Sequence, residues 1–212
     1  MRQVQNPIWI SLLVLALANF SACSARRAED SGYKAASRQA RREKDLAFKS
    51  GRTSPIPEED RSRFQGLSYF EVDSTLRFSV KLNRYAHPQS IRLGTNTGEI
   101  RSGLRYGYFE FQVQGTACRL QVYRLEDAQD AGGINLFVPF RDATSGKETY
   151  GSGRYIDLRE NTSGVYDLDF NRAYNPSCAY GRGFSCPVPR AENTLSVPIS
   201  AGEKAYPLKH EH

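Results

Sequence analysis

From Leu67 onward, apolar and polar residues alternate with a period of two, the pattern of strands that bury one face. In residues 75–83, Leu76, Phe78, Val80 and Leu82 share one side, and Arg77, Ser79, Lys81 and Asn83 the other. Phe109, Phe111 and Val113 alternate with Glu110, Gln112 and Gln114, and Cys118, Leu120 and Val122 with Arg119, Gln121 and Tyr123. The rhythm returns at 134–140, from Arg154, at 165–170 and at 195–199, each run set off by Gly, Asn or Asp. Short strands between turn signals, with no long helical pattern among them, predict an all-β, antiparallel domain over 64–212. Eight or nine consecutive strands leave edges to protect, which favours a barrel-like closed sheet; a two-sheet sandwich is the alternative.

Two earlier segments follow other rules. Residues 33–49 read as a helix, with Ala35, Ala36, Ala40, Leu46 and Phe48 among many charges. So thin an apolar face places it on the surface or on a tether rather than in the core. The run Ser54-Pro-Ile-Pro-Glu-Glu-Asp60 then interrupts helical structure. Residues 7–18 are almost wholly apolar, follow Arg2, and lead into Asn19-Phe-Ser-Ala22. That is the plan of a signal peptide over 1–22, and the apolar run is shorter than the roughly 20 residues a membrane span needs. Ser21-Ala22-Cys23 resembles the end of a bacterial lipobox, with Phe20 where Leu is usual, and this predicts lipid attachment at Cys23. Acyl chains contribute about 0.8 kcal/mol per buried methylene, so two or three would hold the protein on a membrane.

Charge supports that division. Residues 24–63 carry 11 Lys/Arg against 7 Asp/Glu, whereas residues 64–212 carry 17 against 16. The basic excess sits beside the expected anchor, where it favours an anionic membrane surface. A nearly neutral domain behind an export signal argues against nucleic acid as a partner. The expected location is the cell envelope, facing the periplasm or the exterior. Ser24 is not the Asp that retains lipoproteins at an inner membrane, so an outer membrane is the default in a double-membraned cell. Oligomeric state is not readable from the chain.

Candidate chemistry concentrates in residues 141–193. Asp142 and Thr144 follow a strand exit, Glu148 and Tyr150 follow a turn, and Gly151-Ser-Gly153 allows positive φ or close backbone approach ahead of Arg154. These residues either converge on a ligand at one end of the sheet, or bond their own turns and pair among themselves. Asp167 and Asp169 share a strand face, and Asn171, Tyr174 and Asn175 crowd the next turn with amides and phenols. Such groups read polar ligands, although Asn before Pro is also a common turn former. Carboxylates at this spacing suit a hard cation or an acid–base pair, but they pair with arginines as readily, and no metal is expected. Cys178 and Cys186 flank a glycine-containing loop. In an oxidising compartment they predict a disulfide closing nine residues, worth about 2.5 kcal/mol. Zinc would need further ligands, and there is no CxxC. Cys118 lies on the apolar side of its strand and reads as a buried free thiol.

The runs PFRDATSGKETYGSGRYIDL (139–158), LDFNRAYNPSCAY (168–180), CPVPRAEN (186–193) and SAGEK (200–204) resemble the signature of the domain of unknown function 1684 family. The resemblance extends over roughly 44–204 and implies family membership without an activity. No GxSxG elbow, P-loop or GxGxxG is present, so common hydrolase, kinase and dinucleotide assignments fail and no cofactor is expected. Three functions stay open: a lipid-anchored module binding a small molecule through 141–193; a structural or interaction protein of the envelope; and a hydrolase without a familiar motif using Asp142, Glu148 and Asp169.

Overall fold

The computed structural model describes the backbone of residues 8–126, 129–130 and 133–206, and the side chains of 29–126 and 135–206. The expected leader, residues 1–22, and Cys23 lie outside the described side chains. Among the described residues, no helix is long and apolar enough to cross a membrane.

Among the described residues, a helix, α1 (Ile8–Ser50), and a one-turn helix, α2 (Glu58–Arg61), precede eight strands. These are β1 (Arg77–Lys81), β2 (Asn83–Gly94), β3 (Ile100–Val113), β4 (Thr116–Leu125), β5 (Gln129–Asp130), β6 (Gly133–Phe140), β7 (Arg154–Arg159) and β8 (Val165–Asp169). The main antiparallel sheet runs β2-β3-β4-β6-β7, with the two-residue β5 paired to the start of β6. β1 and β8 form a second, two-stranded sheet in which Arg77 stands opposite Asp169 and Lys81 opposite Val165. The β3–β4 hairpin turns at Gln114 (φ +49°) and Gly115 (φ +81°), the paired positive dihedrals that match strand twist in a two-residue loop.

The expected alternation is the core. Phe109, Phe111 and Val113 of β3, Leu120 and Val122 of β4, and Leu136, Val138 and Phe140 of β6 are buried together with Val80 and Leu168 of the small sheet. Phe78 and Phe170 meet Phe111 at centroid distances of 5.2 and 5.5 Å, so the two sheets close over one apolar layer. A second cluster, Leu93, Tyr123, Leu125, Phe137 and Tyr155, covers another part of the main sheet.

Two expectations are corrected. The sheet is not a closed barrel, because its edges are protected in other ways. β2 is largely exposed, carries Pro88 and has a register shift between Arg84 and Gln89. Proline and irregularity both discourage edge pairing. On the other side, Tyr155 of β7 exchanges backbone hydrogen bonds of 2.9 and 3.0 Å with Tyr174. Residues 195–199 are not a strand either, although Leu195 and Ile199 are buried. Pro198 has no N–H for a ladder. The neighbouring backbone groups bond elsewhere: Leu195 N to Arg141 O at 2.8 Å and Ile199 N to Asp142 Oδ1 at 3.1 Å.

α1 ends at Ser50, close to the expected boundary, and its second half packs along the β domain. Tyr33, Arg41, Lys44, Asp45 and Phe48 recur at helical spacing on the packed face, whereas Leu46 is 64% exposed. The docking face is therefore polar and aromatic. An apolar-periodicity argument does not register such a face.

Candidate functional site

A cleft of about 430 Å³ between α1 and the exit of β8 brings together polar side chains from distant segments. Its helical wall presents Tyr33, Ala36, Ser37, Ala40, Arg41 and Lys44, and the opposite wall includes Tyr69, Arg77, Asp167, Asp169, Asn171 and Glu203. Ala36 and Ala40, one turn apart, leave room that larger side chains would fill.

Each wall is built locally. The Asp169 side chain accepts from Asn171 N at 3.0 Å, capping the 3₁₀ turn Phe170–Arg172 in the manner of short polar residues at turns. It also accepts from Asn171 Nδ2 at 3.0 Å and from Tyr33 Oη, 2.8 Å from both carboxylate oxygens. Burial, reinforced by the Asp169 carboxylate, pushes the Tyr33 phenol up to about 12. Asn171 reaches across to residue 73, accepting from Asp73 N at 2.8 Å and donating to Asp73 O at 2.7 Å. Arg77 pairs bidentately with Asp167 at 2.8 and 2.9 Å and lies over the Tyr33 ring.

Glu203, 1% exposed, closes the far end. Its carboxylate accepts from Lys44 Nζ at 2.6 Å, from Asn175 N at 2.8 Å and from Tyr180 Oη. Lys44 lies between the Phe48 and Tyr174 rings, 5.1 and 4.9 Å from their centroids. Arg41 donates to Phe70 O at 2.7 Å and Asn171 O at 3.4 Å, with its guanidinium 4.6 Å above the Tyr69 ring.

The structure divides the residues singled out from sequence into separate groups. Asp169 and Asn171 line the cleft, while Tyr174 and Asn175 support Lys44 and Glu203 at its end. Asp142, Thr144 and Arg154 form a buried brace instead. Arg154, 0% exposed, donates to Asp142 Oδ2 at 2.9 Å, Ile199 O at 2.9 Å, Glu203 O at 3.2 Å and Ala201 O. Asp142 Oδ1 accepts from Thr144 N and Oγ1 at 2.8 and 2.6 Å. Burial lowers the Arg154 guanidinium, and Asp142 pulls it back up. Ahead of Arg154, Gly153 takes φ +101°, and a Cβ there would come within 2.6 Å of Phe140 O and 2.7 Å of Pro189. Glu148 is exposed, and Tyr150 Oη lies 3.8 Å from Cys178 Sγ. Asp142, Glu148 and Asp169 therefore do not share a site.

Cys178 and Cys186 are free thiols in the structure, which does not show the expected disulfide. They are nonetheless adjacent: Cys178 N donates to Cys186 Sγ at 3.3 Å. The hydrogen bond from Cys178, outweighing burial, draws the Cys186 thiol down to about 7. Cys118 is buried and free, as its strand position implies.

Arg41, Lys44, Tyr69 and Glu203 were not foreseen. For Glu203 the SAGEK motif at 200–204 is a usable signal, and for Arg41 and Lys44 the spacing from Tyr33 along one helical face.

A family model described as a protein of unknown function, DUF1684, matches residues 62–204. The chain belongs to the DUF1684 family. Among solved structures, it is similar to an uncharacterised protein of Haloarcula marismortui studied by solution NMR, with 37% identity and a TM-score of 0.63. That similarity covers 83% of this chain and 96% of the other. A comparison with curated proteins finds no match. Residues 62–212 make up less than three-quarters of the chain. An alignment covering 83% therefore extends ahead of residue 62 into α1. The similarity to that structure thus takes in part of α1, which lies outside the residues the family model matches.

Proposed function

We propose that this DUF1684 protein is an exported, lipid-anchored envelope protein that binds a small molecule in the cleft between α1 and β8. The observation that carries the binding role is the cleft itself, a concavity of about 430 Å³ where buried polar groups from two distant segments converge. Ligand sites are typically pre-formed hollows of this size with a few placed polar groups. Asp169 and Asn171 belong to its floor. Asp142, Thr144 and Arg154 are assigned to holding the scaffold, and the Cys178–Cys186 pair to a disulfide formed after export. The anchor rests on residues 1–22 and Cys23 of the sequence.

Filling the cleft tests the binding role without removing a contact. Ala40 is exposed on the helix, and leucine is a good helix former, so Ala40→Leu is expected to preserve folding. Native mass spectrometry of the purified full chain should show a co-purifying small molecule that Ala40→Leu displaces. A ligand retained at full occupancy by Ala40→Leu refutes this site. The anchor has its own test: Cys23→Ala should move the protein from the membrane to the soluble fraction, and a variant that stays with membranes removes the lipid claim.

A further inference from the structure

Resting on the binding role proposed for this cleft, we infer that its ligand carries an oxyanion, a carboxylate or phosphate group, received by Arg41 and Tyr69. The argument is a balance of donors and acceptors. Every acid in the walls is already engaged by at least two donors: Asp167 by two nitrogens of Arg77, Asp169 by Tyr33 and Asn171, and Glu203 by Lys44, Asn175 and Tyr180. Among the cations, Arg77 and Lys44 are paired with Asp167 and Glu203, but Arg41 is bonded to no acid. The Arg41 guanidinium is half-buried and donates to two neutral carbonyls, those of Phe70 and Asn171, with no carboxylate bonded to it.

Two donors are left over at this spot. Arg41 Nε and Tyr69 Oη are shielded from water and have no hydrogen-bond partner. Their side chains are stacked across the two walls, the guanidinium carbon 4.6 Å from the ring centroid, so both donors sit at one place in the cleft. A shielded, unpaired donor is costly, and an incoming acceptor recovers that cost. An incoming cation or neutral donor would find the acids occupied; an oxyanion meets a desolvated guanidinium and a spare hydroxyl, the pairing that gives strong charge-assisted hydrogen bonds. Burial lowers the Arg41 guanidinium against the pull of Glu71 and Asp169, and it raises the Tyr69 phenol, which keeps Tyr69 Oη a protonated donor. Because both atoms are shielded, binding requires Arg41 or Lys44 to shift its flexible stem. The acceptor then enters from the cleft.

The test is an amide-shift titration of the full chain in a non-ionic detergent with inorganic phosphate, with acetate, and with a mixture of neutral and amine fragments. Phosphate or acetate should move the amides of residues 40–44, 69–70 and 169–172. Tyr69→Phe should weaken that binding roughly fivefold to tenfold. Since Tyr69 Oη has no partner, Tyr69→Phe should leave the melting temperature unchanged or higher, so lost binding is not lost folding. Arg41→Gln should weaken binding more than tenfold, by roughly one to two orders of magnitude. Nanodiscs of phosphatidylcholine with and without phosphatidylglycerol, free of added anion, separate sources: shifts at the same amides only with phosphatidylglycerol identify a lipid headgroup, and their absence identifies a soluble oxyanion. If fragments move these amides while phosphate and acetate do not, the oxyanion class is wrong and the cleft stands as a site. If nothing moves them, both fall.

Discussion

Replacing Arg154 with methionine tests whether the Asp142–Arg154 pair is scaffold or ligand contact. Both side chains are 0% exposed and meet at 2.9 Å. Methionine has comparable reach but no donors, so the variant strands Asp142 Oδ2 and the carbonyls of Ile199, Ala201 and Glu203 at once. Removing one partner of a buried ion pair costs about 3–5 kcal/mol, because an uncompensated charge stays behind. Against a total stability of about 5–15 kcal/mol, that is a third or more of a typical domain's reserve. Guanidinium chloride denaturation followed by far-UV circular dichroism should show the midpoint falling at unchanged slope. Adding Asp142→Asn removes the stranded charge and should return roughly 1–2 kcal/mol, a positive coupling of the size expected for contacting residues. A loss below about 1 kcal/mol, or a double variant weaker than the single by the full cost of both, would refute the brace.

Two further outcomes follow from the same geometry. Tyr33 has its phenol raised to about 12 from an ordinary 10, by burial and then by Asp169. A raised phenol contributes stability that is fully present below pH 10 and is lost as pH climbs through about 12. Stability measured over that window should therefore fall more steeply in the parent chain than in Tyr33→Phe, and identical slopes would contradict the contact. For the cysteines, maleimide labelling of unfolded protein should find Cys178 and Cys186 reactive after cytosolic production and protected after export, with Cys118 reactive in both; unprotected thiols after export would exclude the proposed disulfide.

The sequence was most legible where one face of a strand is buried and the other wet. Phe109, Phe111 and Val113 are 0%, 8% and 2% exposed, while Glu110 and Gln112 between them are exposed, so period and structure coincide. β2 is mostly exposed along its length, so its side chains carry no alternation to read. At 195–199 the alternation is present and misleads, because burial there comes from coil threaded beneath Asp142 and Arg154. The site was half legible. Asp169 and Asn171 announce themselves by local turn chemistry, but Arg41 and Glu203 stand 130 and 32 residues from Asn171, and only the fold brings them together. For Asp142 and Arg154 two readings stood open, a ligand site or pairing within the segment, and the buried ion pair at 2.9 Å favours pairing; mutual neutralisation is what lets these charges be interior.

The cleft has one wall on a helix and the other on the β domain, so its existence depends on how α1 is held. Among the described residues, polar fastenings hold it at Tyr33, Arg38, Arg41, Lys44 and Asp45, the last accepting from Leu67 N at 3.0 Å. Phe48 adds an edge-on aromatic contact with Tyr180 at 5.1 Å. Such part-buried contacts contribute about 1 kcal/mol each, and more where a buried carboxylate such as Glu203 is paired, so helix docking rests on a few specific contacts. A ligand touching both walls binds only the docked arrangement and stabilises it by mass action, about 2.7 kcal/mol at a hundredfold excess over its dissociation constant. Ligand binding and helix docking are then one equilibrium. Tyr33 stands ten residues beyond Cys23, about 15 Å along a helix, so with a lipid at Cys23 that equilibrium also governs how closely the β domain is held to the membrane.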